Sequence, residues 1–199
     1  MPIINVTNNI QHPLEECLPS LQEIVEEIKD RQLQIYNVPY NELNEIVIAL
    51  IPNPDEDIAA FNETYAYIQS YINRISTILI SVRKELKIWN VFKLRLKVIY
   101  RKAKNNLIIN DPSIKALRNK DMQEAAIQEK IPELTDLLEG LDIIIEGLEH
   151  DEYVVKIKKE QLDTANVNLN RQQKVVEDMI GLNMVYKETQ VHLKTKNSV

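Results

Sequence analysis

The sequence predicts an all-α fold: a long antiparallel helical hairpin, coiled-coil-like, with a small N-terminal helical cap. Three observations lead to this prediction. An apolar repeat of about seven residues runs from Ile58 to Leu107, and such a repeat is typical of helices that pack along a seam. Only three of the 199 residues are glycine, which disfavours sheet folds with many tight turns. Two helix-start signals, near Pro54 and Pro112, bracket the repeat.

The apolar repeat places its side chains on a single face of one long helix. The spacing alternates between three and four residues, and the frame slips once, at Lys93. A helix of this length would extend roughly 80 Å, so it needs a packing partner along its length. The seam residues are Ile58, Phe61, Tyr65, Ile68, Ile72, Ile75, Leu79, Val82, Leu86, Trp89, Leu96, Tyr100, Ala103 and Leu107.

Residues 1–53 are expected to form an arm and two short helices. The arm contains a short β-like run, Ile3 to Val6. Pro13 is expected to open an acidic helix that ends near Tyr36. Asn41 is expected to cap a second helix, Glu42 to Ile51, because an Asn side chain can accept a hydrogen bond from the first turn.

Residues 54–182 are expected to form the hairpin, with its turn near 110–112. Asn53 as the cap and Pro54 as the first helical residue would start the long helix. Asp111 and Pro112 repeat this chemistry, so the long helix should end near Asn110 and another should begin at once. A short connection makes two helices antiparallel neighbours.

The C-terminal half continues the helical pattern from Ile114 almost to Leu182. Pro132 is expected to kink this helix or to start a new one, because it lacks a backbone donor. Gly181 is expected to end the helix, and residues 183–199 to form a polar tail that is frayed from Lys187 onward. The seam residues here are Ile127, Ile131, Leu134, Leu138, Leu141, Ile145, Leu148, Val155, Leu162, Leu169 and Val176.

Two features of the long helix leave alternatives open. A third apolar column, formed by Tyr71, Ile78, Phe92 and Ile99, lies beside the seam. One antiparallel neighbour does not cover this column, so either the N-terminal helices or a second copy of the chain should do so. The segment from Phe92 to Tyr100 also alternates apolar and basic residues, which is a strand pattern. Helix is favoured there because no turn residues flank the segment.

The inventory of catalytic residues is nearly empty, so we expect a protein that is not an enzyme and that needs no cofactor or metal. His12, His150 and His192 are far apart, and no His or Cys pair has metal-ligand spacing. The single cysteine, Cys17, suits a reducing compartment. No apolar run is long enough to cross a membrane, and the N-terminus lacks a signal-peptide pattern. These features indicate a cytoplasmic protein without a membrane partner.

Charge is segregated along a chain whose net charge is -6. Between Arg83 and Lys104 lie nine basic residues and one acid, Glu85, whereas Glu133 to Glu152 holds eight acids and no Lys or Arg. Folding about residue 111 would place 133–152 opposite roughly 70–89. The basic segment would then stay free at the tip of the hairpin, unless the two stretches neutralise each other between copies.

The basic tip is the candidate binding site, because Lys and Arg neutralise phosphates and exposed aromatic rings can stack on single-stranded bases. Trp89 and Tyr100 occupy seam positions and are expected in the core, which leaves Phe92 as the aromatic candidate. The candidate nucleic-acid-binding residues are Arg83, Lys84, Lys87, Phe92, Lys93, Arg95, Lys97, Arg101, Lys102, Lys104, Lys115, Arg118 and Lys120.

The basic helix is followed by the segment Asn110 to Ala126, which reads Asn-Asp-Pro-Ser-Ile-Lys-Ala-Leu-Arg-Asn-Lys-Asp-Met-Gln-Glu-Ala-Ala, and then by a long leucine-spaced helix. From Arg83 to Ile180 this order resembles the recombination mediator family of T4-type phages. The resemblance implies a helical oligomer that binds single-stranded DNA and helps to load a recombinase. It also implies DNA contacts by Arg83, Lys84, Lys87, Lys93, Arg95, Lys97, Arg101 and Lys102.

We therefore expect a nonenzymatic homo-oligomer that binds single-stranded nucleic acid through the basic hairpin tip. The alternative is a structural or assembly protein, such as a virion or scaffold component, whose long helices form protein–protein interfaces. A protein partner at the N-terminal helices is compatible with both. The expected location is the host cytoplasm, or the virion if the protein is phage-derived.

Overall fold

The computed structural model describes residues 17–46 and 51–196, and it describes the side chains of residues 17, 19–46 and 51–187. The expected run from Ile3 to Val6 and the expected helix start at Pro13 lie outside these residues. Every regular element in the described part is a helix, and the two longest, α3 and α6, pack against each other, which confirms the predicted all-α helical hairpin. The helices are α1 Leu18–Gln32, α2 Tyr40–Glu45, α3 Ile58–Asn110, α4 Pro112–Lys115, α5 Lys120–Lys130 and α6 Pro132–Lys196.

Both N-terminal helices end earlier in the chain than expected. The first ends at Gln32 rather than near Tyr36. The second occupies Tyr40–Glu45 and ends before Ile46, whereas residues 47–50 of the predicted helix Glu42 to Ile51 lie outside the described residues. Pro39 stands at its N-cap without a side-chain cap hydrogen bond, so the predicted cap at Asn41 is wrong.

The long helix α3 begins one turn later than predicted. Asp57 is its cap, because the Asp57 Oδ1 accepts a hydrogen bond from the Ala60 N–H at 2.9 Å. Asn53 instead accepts from the Asp55 N–H at 3.2 Å and closes a separate turn that contains Pro54. The predicted cap at Asn53 is thus wrong, since three nearby Asn and Asp residues can each cap and the chain uses the last of them.

The end of α3 at Asn110 and the capped turn after it confirm the prediction. The Asp111 Oδ1 accepts from the Ser113 N–H at 2.9 Å, and Pro112 is the first residue of α4. The expectation of one continuous helix from Ile114 is wrong, because α4 ends at Lys115 and a second cap follows. The Asn119 Oδ1 accepts from the Asp121 N–H at 2.8 Å and starts α5.

Pro132 starts a new helix, which is one of its two expected effects. The helix α6 then continues through Gly181 to Lys196, so the predicted end at Gly181 is wrong, and residues 187–196 of the expected tail are helical. A glycine that ends a helix usually adopts a positive φ, and none of the described glycines does so.

The chain divides into two compact units, and α3 and α6 contribute segments to both. The first unit contains Met1–Val38 and Ile80–Glu152, and the second contains Pro39–Leu79 and Tyr153–Val199. The predicted division into 1–53, 54–182 and 183–199 follows the order of the chain, whereas each unit combines two segments that are distant in sequence.

In the first unit, α1 packs its apolar face into the same core as α3, α5 and the beginning of α6. Phe92 and Ile99, two members of the third apolar column, are buried in this core. The N-terminal helix therefore covers this part of the column, which is one of the two expected solutions. The core includes Leu21, Ile24, Val25, Ile28, Trp89, Phe92, Leu96, Ile99, Ile127, Ile131, Leu134, Leu137 and Leu141.

In the second unit, a polar contact lies among the apolar side chains between the two long helices. The Gln69 side-chain amide donates to the Asn166 Oδ1 across the two long helices. A polar pair in an apolar seam weakens packing but specifies the register of the helices. The buried apolar side chains include Phe61, Ile68, Ile75 and Leu79 of α3 and Val155, Leu162, Ala165 and Leu169 of α6.

The register of α3 against α6 in the first unit differs from the expected one. Arg83 pairs with Glu152, and Lys93 pairs with Asp142. A step of ten residues forward on α3 therefore matches a step of ten backward on α6, which shows an antiparallel arrangement. This register places 133–152 opposite 83–102 rather than opposite 70–89. The reason is that the connection between the two long helices contains α4 and α5. The chain therefore does not reverse direction at residue 111, as the prediction assumed.

Candidate functional site

The basic part of α3 keeps a buried face, and this determines where its cations point. Leu96, Ile99, Ala103 and Leu107 are buried at helical spacing, so the side chains between them lie on the remaining faces of the helix. The segment is helical throughout. The helix interpretation of the segment from Phe92 to Tyr100 is therefore confirmed.

Four of the predicted basic site residues are held in ion pairs within the chain. The pairs are Arg83 with Glu152, Lys93 with Asp142, Arg95 with Glu27, and Lys104 with Glu124. The first two join the basic and acidic stretches directly. The expectation that hairpin geometry keeps these stretches apart is therefore wrong, because the observed register brings them face to face.

The ion pair between Arg95 of α3 and Glu27 of α1 changes the pKa of Arg95. The Arg95 guanidinium donates to the Glu27 Oε2 at 2.6 Å. This hydrogen bond raises the pKa of Arg95 above its ordinary value, assisted by the charges of Glu27 and Glu23. The guanidinium thus helps to hold α1 on α3 rather than standing free for a ligand.

Eight predicted cations remain exposed, and within the described residues none has a carboxylate oxygen within 4.0 Å. Five lie on α3, one ends α4, one lies between α4 and α5, and one is the first residue of α5. We call them the free cation set. Its members are Lys84, Lys87, Lys97, Arg101, Lys102, Lys115, Arg118 and Lys120.

The aromatic residues of the basic segment are occupied by the core. Trp89 is 0% exposed, as its seam position predicted, and it meets Phe92 edge-on with ring centroids 5.6 Å apart. Phe92 is only 7% exposed. Its prediction as a base-stacking residue is wrong, because the third apolar column to which it belongs is covered by α1. Tyr100 is half-buried, and its hydroxyl donates to the Glu124 Oε1 at 2.7 Å.

Glu124 joins α5 to α3 through two partners, and sequence reasoning missed it. It accepts hydrogen bonds from the Tyr100 hydroxyl and from the Lys104 ammonium. The Lys104 and Tyr100 hydrogen bonds lower the pKa of Glu124. Partial burial, reinforced by the hydrogen bond to Glu124, raises the pKa of Tyr100 to about 12.

The raised pKa of Tyr100 predicts a fall in stability at alkaline pH. The folded protein holds this proton more tightly than the unfolded chain, so the contribution is complete below the ordinary value of 10.0 and is lost as pH rises towards about 12. Thermal unfolding at stepped pH, followed by circular dichroism, should show a shallower alkaline decline for Tyr100→Phe. Lysine deprotonation affects both proteins, so the difference between them is the readout, and equal declines would contradict the prediction.

Glu85 is a second residue that charge counting did not identify. It is buried, at 5% exposure. Its Oε2 accepts a hydrogen bond from the Arg31 Nε at 3.2 Å, and its Oε1 accepts another from the Arg31 Nη2. A signal existed in the spacing, because Glu85 lies three residues after Val82 and four before Trp89. The only acid in the basic segment therefore occupies a core-facing position.

The described part of the chain offers no arrangement of three or more His, Cys, Asp or Glu side chains that could hold a metal ion. Within the same residues, no helix has both the length and the apolar character needed to cross a membrane. No protein-family model matches the chain, and comparisons with curated proteins and with solved structures found no significant match. The function is therefore inferred from the geometry and charge of the surface described above.

Proposed function

We propose that this protein is a nonenzymatic, recombination-mediator-like protein that binds single-stranded nucleic acid. The observation that supports this proposal is the free cation set: eight exposed Lys and Arg side chains without a carboxylate partner among the described residues. They are concentrated in one region of a chain whose net charge is -6. A phosphate backbone is a ligand whose repeating charge fits such a region.

The proposed mode of binding is contact with the backbone rather than base recognition. Trp89, Phe92 and Tyr100 are buried or half-buried, so these rings do not offer a stacking platform. The guanidinium planes of Arg101 and Arg118 are exposed and can stack on unpaired bases. Binding should therefore be strongly salt-dependent and nearly independent of sequence.

Removal of five members of the free cation set should weaken binding and flatten its salt dependence. For single strands, each phosphate contact contributes about 0.7 to the slope of log K against log salt, so the slope should fall by up to about 3.5. Titration of a labelled oligonucleotide at several salt concentrations measures both quantities. The variant replaces by alanine the residues Lys97, Lys102, Lys115, Arg118 and Lys120.

A matched control removes the same charge from the second unit. It replaces five cations outside the proposed site by alanine, and we expect it to bind like the unmodified protein. Absence of binding at low salt, or an equal loss in both variants, would overturn the proposal, and equal affinity for a duplex would overturn the single-strand preference. The control positions are Lys156, Lys158, Arg171, Lys174 and Lys187.

A structural or assembly role is the second candidate, and a different observation favours it. Val91, Leu94 and Val98 are exposed apolar side chains on the same part of α3 as the cations. Exposed apolar residues that share a helix face are typical of protein–protein contacts. This candidate includes coiled-coil self-association, a protein partner at the N-terminal helices, and a location in the host cytoplasm or the virion.

A further inference from the structure

The outward face of α3 in the first unit carries an apolar centre between two cations. Val91, Leu94 and Val98 are 48%, 64% and 46% exposed, and their spacing of three and four residues places them on one helix face. Lys87 and Arg101, both exposed, lie one heptad before and one heptad after Leu94 on this face. We call these five residues the α3 outer stripe.

The outward face of α6 in the same unit shows the opposite charge around an apolar centre. Ile143, which is 61% exposed, stands between exposed acids at spacings of three and four residues. No Lys or Arg occurs from Glu133 to Glu152, so nothing on this face offsets the acids. The α6 outer stripe consists of Asp136, Glu139, Ile143, Glu146 and His150.

A groove lies beside Ile143 in the first unit. Its volume is ≈ 240 Å³, and apolar side chains such as Ile35 and Ile144 line it. Gly147 also lines it, and a Cβ atom added there would have open space, with no atom from the rest of the chain within 4 Å. An apolar knob such as Leu94 fits a hole of this kind in helix packing.

The two stripes are complementary, yet they do not satisfy each other within one chain. In the described residues, Lys87 and Arg101 have no carboxylate within 4.0 Å, and Glu139 and Glu146 have no cation within that distance. The ion pairs that do link α3 with α6 use residues outside both stripes. The charges of these four side chains are therefore not neutralised by ion pairs within the described part of the chain.

Nucleic acid explains the cations of the α3 outer stripe but not its centre. Val91, Leu94 and Val98 gain nothing from contact with phosphate, whereas they gain from burial against apolar side chains. The complementary surface has to offer an apolar centre with acids on both sides. The α6 outer stripe has this composition, and every further copy of the chain supplies one.

We propose that the α3 outer stripe of one copy docks on the α6 outer stripe of a second copy. Val91, Leu94 and Val98 pack against Ile143 and its groove, while Lys87 and Arg101 face the acids that flank Ile143. Because the stripes are two different surfaces, the contact closes a ring, extends into an open helical assembly, or is made twice in a two-fold dimer. Lys87 and Arg101 also belong to the free cation set, but the five cations whose removal tests nucleic-acid binding lie outside this interface, so the two proposals can fail independently.

The test uses two charge-reversal variants of the full chain and their mixture. Lys87→Glu with Arg101→Glu makes the α3 outer stripe acidic, and Glu139→Lys with Glu146→Lys makes the α6 outer stripe basic. Each variant alone opposes like charges, so its association constant should fall at least about tenfold. An equimolar mixture restores opposite charges, so the larger species should return. Analytical ultracentrifugation over a range of concentrations measures all three samples.

Lys156→Glu with Lys174→Glu is the matched control, because it reverses two exposed lysines in the second unit. It should associate like the unmodified protein. Nuclease treatment before the measurement removes bridging nucleic acid, and circular dichroism verifies that each variant is helical. The proposal is overturned if the unmodified protein is a monomer at micromolar concentration or after nuclease treatment. It also fails if either stripe variant associates normally, if the control dissociates, or if the mixture stays dissociated.

Discussion

Trp89→Ala should lower the free energy of unfolding of the first unit by about 3–5 kcal/mol. The indole is 0% exposed and lies in the core that α1, α3 and α6 share. Its removal leaves a cavity in this shared core, and the surrounding helices can fill such a cavity only in part. Urea denaturation followed by circular dichroism measures the loss. Fluorescence is unsuitable for this variant, because Trp89 is the only tryptophan.

Two further substitutions separate packing from other effects at this position. Trp89→Phe should cost less than half as much, because it keeps an aromatic ring and the Trp89 Nε1 has no hydrogen-bond partner among the described residues. Tyr153→Ala is the surface control, since Tyr153 is exposed. It should change stability by no more than about 0.5 kcal/mol. A cost below about 1 kcal/mol for Trp89→Ala would show that this core is not tightly packed.

Arg31→Ala should destabilise the first unit by about 3 kcal/mol, at the lower end of the range for breaking a buried ion pair. Glu85 is 5% exposed and would lose the guanidinium that now makes two hydrogen bonds to it. The lower end applies because the Arg31 side chain is 24% exposed, so water can partly replace it. Urea denaturation monitored by the fluorescence of Trp89 measures this loss.

The double variant Arg31→Met with Glu85→Met shows whether the pair stabilises the fold or only avoids a buried charge. Apolar side chains of similar size need no partner, so we expect stability within about 1 kcal/mol of the unmodified protein, or above it. Lys156→Ala is the comparison for an exposed pair, because Lys156 faces Glu160 one helical turn away. Its effect should stay below about 0.5 kcal/mol. Equal effects of Arg31→Ala and Lys156→Ala would contradict the buried-pair interpretation.

The apolar spacing was sufficient to predict the seam of the long helices. Ile68, Ile75, Val82, Trp89 and Leu96 are all buried, as their positions required. Burial of one helix face is a local consequence of periodicity, so it can be read from the chain without knowledge of the partner. At Ile58, the first residue of α3, the seam position is exposed, because periodicity does not show where the partner helix stops.

Helix boundaries were predicted only where the capping chemistry was unambiguous. Asp111 and Pro112 stand alone and mark the start of α4 as expected. Asn53, Asp55 and Asp57 compete within one turn, and the path of the chain into α3 selects Asp57. Asn119 is a cap without a neighbouring proline and was missed. The local sequence identifies residues that can cap a helix, and the packing around them determines which of these residues is the cap.

The candidate site depends on which charges meet across helices, and residue types alone do not provide this information. Four predicted cations are neutralised by partners on α1, α5 and α6, while Phe92 is covered by α1. These outcomes follow from the register between α3 and α6. That register follows in turn from the length of the α4–α5 insertion, which the continuous-helix interpretation did not include.

Helix content, the buried seam and the segregation of charge follow from the order of residues, because each depends on neighbours within a few turns of one helix. Contacts between distant segments decide the rest. They pair Glu85 with Arg31 and Lys93 with Asp142, bury Phe92, and leave Leu94 and Ile143 exposed. The physical reason is that burial and ion pairing depend on which surfaces face each other, and only the packed helices establish this.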